Sequence, residues 1–122
     1  MEILHKDITG EIIGAAFEVY KELGYGFLES VYQKAMKVEL ELRGLRAELE
    51  RQIQVTYKGV NVGHFEADIF VDECVIVELK FAKEYQKADE AQLLNELKAT
   101  GIKVGLLINF GQTKADFKRM VF

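Results

Sequence analysis

Proline is absent from this chain of 122 residues, cysteine occurs once and histidine twice. With no proline, no low-complexity stretch, no repeat and no block of like charge, nothing marks a linker, and the economical reading is one continuous domain over residues 1–122. The lone Cys74 excludes an internal disulfide and a cysteine-rich zinc site; its setting near a hairpin loop suits a small apolar filler rather than a nucleophile. His5 and His64 are isolated, without the spacing of metal ligands. No apolar run approaches the roughly 18–20 residues that cross a bilayer, so no membrane association is expected. The opening MEILHKDITGE carries acids and lacks the apolar core of a secretion signal, which makes the cytoplasm the expected compartment.

Positive charge is also short. Lysine and arginine number 16 against 20 aspartates and glutamates, a net charge of −4. A protein that grips long duplexes by electrostatics alone carries a basic surplus. An acidic chain needs a local basic patch or a bound cation to approach phosphates. What is present is a globular balance, with 49% hydrophobic and 30% charged residues.

Helical spacing links Ile8, Ile12, Ile13, Ala16, Phe17, Val19, Tyr20 and Leu23, with Thr9 or Asp7 available as a cap and Gly24-Tyr25-Gly26 as a stop. A second helix is expected from about Leu28 to Arg43, facing inward through Val31, Tyr32, Ala35, Val38 and Leu42. The period then falls to two. Ile53, Val55 and Tyr57 alternate with polar residues, Lys58-Gly59-Val60-Asn61 reads as a tight hairpin turn, and strands follow over Val62–Val71 and Val75–Phe81. A third helix is expected from about Tyr85 to Thr100, with Ala91, Leu94, Leu97 and Leu93 as inward candidates. Val104–Ile108 is nearly all apolar, as in a strand buried on both faces. The tail from Lys114 to Phe122 is compatible with a strand or a short helix. A strand joined through a helix to a later strand implies a crossover and a mixed sheet.

The chemically informative stretch runs from Phe65 to Lys80. If Asp72, Glu73 and Cys74 form the loop, Val71 falls opposite Val75, Ile69 opposite Val77 and Ala67 opposite Leu79, all on one surface. On the other surface Asp68 falls opposite Glu78, and Glu66 opposite Lys80. A five-residue loop keeps the same parity; a two-residue loop mixes the faces. Three-residue loops usually want a glycine at the left-handed position, and none is present. Opposed carboxylates repel, so in a partly buried site one takes up a proton or both share a cation. A hard divalent ion, Mg2+ or Mn2+, held by Asp68 and Glu78 resolves the conflict, and Lys80 on the same face can hold a phosphate oxygen or orient an attacking water. The plainer reading is a surface Glu66–Lys80 ion pair with Asp68 and Glu78 solvated. Against it, Glu78 and Lys80 interrupt an apolar run in a sheet expected to lie under helices.

With these residues in view the chain resembles the PD-(D/E)XK nuclease superfamily, and within it the GxxExxY proteins. The name motif reads Gly26-Phe27-Leu28-Glu29-Ser30-Val31-Tyr32. Similar text flanks it: Ile12-Ile13-Gly14-Ala15-Ala16, Ala67-Asp68, Val77-Glu78-Leu79-Lys80, Ala91-Gln92-Leu93-Leu94-Asn95 and Val104–Gly111. The resemblance implies an α/β, restriction-endonuclease-like fold with a central mixed β-sheet flanked by α-helices. It implies Asp68 and Glu78 as metal ligands, Lys80 as the catalytic lysine and Glu29 as the helix glutamate that completes the acidic site. It also aligns Gln92 with the glutamine of the Gln-x-x-x-Tyr motif of RecB-like members. Glu96 stands where that motif has tyrosine, a departure expected to repel phosphate. The expected activity is metal-dependent hydrolysis of nucleic-acid phosphodiesters, with nucleic acid as partner, DNA ahead of RNA. A homodimer or larger complex would supply the surface that so short a chain lacks. Two other functions fit the same features: an inactive nuclease-fold module that binds nucleic acid or protein, and a hydrolase of another phosphate ester.

Overall fold

The computed structural model describes residues 4–122, so the first three residues of the leader reading lie outside it. The chain forms α1 (Lys6–Leu23), α2 (Glu29–Leu42), β1 (Ala47–Tyr57), β2 (Val60–Val71), β3 (Val75–Lys80), α3 (Ala88–Thr100), β4 (Val104–Phe110) and β5 (Ala115–Val121). The five strands make one sheet in the order β1-β2-β3-β4-β5, with only β3 and β4 parallel. The tail is thus a strand, paired along its length with β4. None of the described helices is long and apolar enough to cross a membrane.

Helices cover both faces of this sheet. Ile12, Ala16 and Val19 of α1 and Tyr32, Met36 and Leu40 of α2 bury against Ile69, Val71, Val75, Val77, Leu106 and Ile108. On the other face Leu93 and Leu97 of α3 bury against Ala67, Phe70, Ile76 and Leu107. Every residue of β4 is therefore buried, which explains its unbroken apolar sequence. Gly105 allows α3 to sit close, since a Cβ there would stand 3.1 Å from Leu93 Cδ1. Only Leu93 and Leu97 of α3 are fully buried, each worth about 1.5–3 kcal/mol.

Several local expectations need correction. Neither Asp7 nor Thr9 caps α1: the helix starts earlier, the Thr9 hydroxyl donates to the Lys6 carbonyl (3.1 Å), and Asp7 meets the helix dipole from inside the first turn. In α2 the inner stripe is Tyr32, Met36 and Leu40, while Val38 and Leu42 are 59% and 77% exposed. In α3, Ala91 faces solvent and Leu93 faces the core.

The three-residue loop Asp72-Glu73-Cys74 forms without glycine, with Asp72 and Glu73 at φ 50° and 58°. Neighbouring groups hold it in place. Asp72 N–H donates to the Arg46 carbonyl (2.9 Å), Arg46 N–H donates to Asp72 Oδ1 (2.8 Å), and Glu73 pairs with Arg51 (3.0 Å).

Past β3 the chain is gripped by Asn109, a buried side chain at the end of β4. Ala82 N–H donates to Asn109 Oδ1 (3.0 Å), and Asn109 Nδ2 donates to the Ala82 carbonyl (3.1 Å). Asn109→Ala strands both backbone groups and is expected to lower stability by about 2 kcal/mol. Urea unfolding checks this, and an unchanged midpoint would refute it.

Candidate active site

The site lies where β2 separates from β3. The two strands pair at Val71↔Val75, Phe70↔Ile76 and Ile69↔Val77, the register read from the sequence, and the ladder then stops. At the next position the Asp68 side chain replaces a backbone partner. Leu79 N–H donates to Asp68 Oδ2 (2.8 Å), and the Asp68 carbonyl accepts from Gln33 Nε2 of α2 (2.9 Å). On the far side of β2, the β1 pairing runs Leu49↔Ile69 and then Arg51↔Ala67, skipping Glu50. Glu50 has φ 53°, and the strand turns over there.

This turn overrides simple alternation. Ile69 and Val71 face α1 and α2, but Ala67 packs on the α3 side with Phe70 and Ile76. The expected Ala67–Leu79 apposition on one surface is thus corrected. Glu66 is exposed beside Gln52 of β1 and makes no ion pair with Lys80; the Lys80 ammonium lies 3.9 Å from Asp89 Oδ1 of α3.

Two hollows meet at this point. Glu29, Gln33, Asp68, Leu79 and Phe81 line a pocket of about 80 Å³ on the α2 side. On the α3 side Glu78, Lys80, Asp89, Gln92 and Glu96 close around about 10 Å³, the room of a single water or ion. Glu78 is 9% exposed, and its Oε1 has no hydrogen-bond partner among the described residues. Burial first, then the Asp68 carboxylate, then Glu96 and a hydrogen bond with Asp68, push the Glu78 carboxyl up to about 9; Lys80 opposes the shift. Glu96 is raised as well, mainly by burial, and its Oε2 is also buried without a partner.

The five residues singled out from sequence are therefore split around β3. Asp68 and Glu78 are neighbours and Lys80 follows on the Glu78 side. Glu29 sits exposed in the first turn of α2 and reaches the pocket from the Asp68 side. Gln92 lines the opposite side, where its amide donates to Glu96 Oε1 (3.3 Å) instead of to the sheet edge. Among the described residues no group of three acidic, histidine or cysteine side chains is arranged to hold a metal. Asp68 and Glu78 are the neighbouring carboxylates that could hold a hard divalent cation, with the unpartnered Glu78 Oε1 as one donor and the rest supplied by water or phosphate oxygens.

Sequence reasoning missed the contributions of Gln33 and Asp89 and did not place Glu96 beside Glu78. The signal for the α3 residues was helical: Asp89, Gln92 and Glu96 are spaced three and four apart and share a face. Gln33 carried no comparable signal, because its role depends on the broken ladder at Asp68.

A mixed sheet between helices, with an acid pair and a lysine where its antiparallel and parallel parts meet, defines a restriction-endonuclease-like α/β domain. Residues 6–120 match the PD-(D/E)XK nuclease superfamily, and the chain belongs to it. The crystal structure of SSO0001 superposes with a TM-score of 0.59 at 14% identity, over 96% of this chain and 59% of that one. This is a likeness of fold, and the chain spans well under two thirds of that protein's length. No curated protein matches the chain.

Proposed function

We propose that the chain is a divalent-metal-dependent nuclease in which Asp68 and Glu78 hold the ion and Lys80 acts on the scissile phosphate. The observation that carries this reading is the buried, unpartnered Glu78 Oε1 beside Asp68, with Lys80 two residues on. An acid kept in so dry a place without a cation is costly, and structural need does not explain it. Bound magnesium or manganese would polarise water and offset charge on the phosphate. Lys80, about one third exposed, is placed to hold a phosphate oxygen or orient the attacking water. Glu29 stands at the mouth of the Asp68 pocket, where it can position water or a second group. Gln92 acts one step back, by holding Glu96 beside Glu78. Glu96 is thus part of the acidic wall and not a simple barrier to phosphate.

We also read Gly26–Tyr32 as a GxxExxY signature, because each named position has a physical task. Gly26 adopts φ 111°, which a side chain would strain. Glu29 opens α2 with its charge at the positive end of the dipole. The buried Tyr32 hydroxyl donates to the Gly24 carbonyl and accepts from Phe27 N–H (3.4 Å), pinning the loop between α1 and α2. The expected compartment is the cytoplasm.

The test is cleavage of single-stranded and duplex DNA and RNA in magnesium, manganese or chelator. Cleavage that needs the metal supports the proposal and ranks DNA against RNA. No cleavage with any substrate or metal would refute it.

A further inference from the structure

Beside the acidic pocket lies a second hollow of about 620 Å³. Its floor is aromatic: Tyr32 stacks on Phe110 with ring centroids 4.8 Å apart, and Phe81 tilts against Tyr32 at 5.4 Å. Its wall is the loop between α1 and α2, where Phe27 stands edge-on to Tyr32 at 6.4 Å. Phe27 is 53% exposed and Leu28 is 76% exposed. The Tyr32 hydroxyl fixes the loop on both sides of Tyr25, so Phe27 is presented on an ordered support. Glu29 and Phe81 line both this hollow and the pocket at Asp68, so the two are adjacent and share a wall.

We infer that this cleft is a stacking subsite for an unpaired nucleobase of the strand whose phosphate lies at Asp68 and Glu78. The inference rests on the nuclease reading and names its substrate class: single strands and overhangs, not intact duplex. A base inside a duplex has both faces covered by its neighbours, whereas an unpaired base offers a face to an aromatic ring. Among the described residues no lysine or arginine lines the cleft, and its one charged side chain is Glu29, so it suits a flat, largely apolar group and not a phosphate backbone. The net charge of −4 likewise disfavours a broad grip on duplex. The volume falls within the roughly 300–1,000 Å³ of small-ligand clefts, room for a nucleotide but not for a double helix.

The test measures binding of a short fluorescent oligonucleotide, and of a blunt duplex of the same sequence, to the unsubstituted chain in calcium, which takes oxygen ligands as magnesium does. Adding Phe27→Ala is expected to weaken single-strand binding about tenfold, the effect of one lost base–aromatic stack. Phe27→Trp should restore it, and duplex binding should stay within about twofold. The inference is overturned if Phe27→Ala binds single strands as tightly as its parent, if both substrates weaken alike, or if the parent binds no single strand. Cleavage by the unsubstituted chain separates this from the nuclease reading. Metal-dependent cleavage with single-strand binding indifferent to Phe27 removes the subsite alone. Phe27-dependent binding by a chain that cleaves nothing removes the nuclease reading alone.

Discussion

Lys80→Ala is expected to abolish cleavage to within measurement, a loss of at least about a hundredfold, while leaving the chain folded. The loss follows from placement. Lys80 shares a strand face with Glu78 and is the basic side chain lining the small hollow that contains Glu78 and Glu96. Under the proposed mechanism, removing it would leave the acidic wall without a basic side chain beside the phosphate. The fold is spared because Lys80 is partly exposed and its contact with Asp89, at 3.9 Å, is a loose ion pair worth about 0–1 kcal/mol. Asp89→Asn should accordingly leave stability nearly unchanged. Initial rates on the best substrate, with urea midpoints for each variant, check both statements. Cleavage surviving Lys80→Ala at the parental rate would mean that Lys80 has no part in it.

Glu78→Gln is expected to destroy cleavage and yet stabilise the metal-free protein by about 3 kcal/mol at pH 7. In the unfolded chain Glu78 titrates near 4.5, while in the folded chain burial and the adjacent Asp68 raise it to about 9. Between those values the folded state holds a proton that the unfolded state releases, so this residue makes stability fall as pH rises. Below pH 4.5 both states are protonated and the penalty vanishes. Urea unfolding in chelator from pH 4.5 to 8.5 should therefore show parent and variant converging at the acid end and separating toward the alkaline end. Magnesium or manganese should stabilise the parent at pH 7 and above and do little for Glu78→Gln, because a shared cation relieves the same repulsion that the proton relieves. A parent as stable as the variant at pH 7 in chelator would show that Glu78 is not strained. Stabilisation of both proteins alike by metal would place the ion elsewhere.

Much of this arrangement could be read from the chain alone, for reasons that are local. Gly24 and Gly101 close α1 and α3 at their C-terminal ends, and the apolar run of β4 required cover on both faces. The spacing of Ile69, Val71, Val75 and Val77 set the β2–β3 register as far as Ile69↔Val77, because a shift by one residue would bury charge and expose the apolar set. The ladder stops short of Asp68 and Glu78, which are neighbours but line hollows on opposite sides of the sheet. Asp68, Glu78 and Lys80 were legible for the same reason: they are charges in strands whose neighbours are all core.

Tertiary structure decided what two local patterns left equal. In α2 the sets Val31, Ala35, Val38, Leu42 and Tyr32, Met36, Leu40 both have helical period, and only packing against α1 and the sheet buried the second. The tail shows no alternation because β5 has half-covered residues on both faces, so its strand character comes from pairing with β4. The turnover at Asp68 depends on a left-handed backbone at Glu50, a residue type that gives no warning of it. That turnover moves Ala67 to the α3 face, frees the Asp68 carbonyl for Gln33, and leaves the Asp68 carboxylate between two hollows lined by residues far apart in the chain. Period, charge and glycine placement act over a few residues and were determined by sequence. The assembly of Glu29, Gln33, Asp89, Gln92 and Glu96 around one acid pair required helices from both faces of the sheet, and burial of the whole chain chose it.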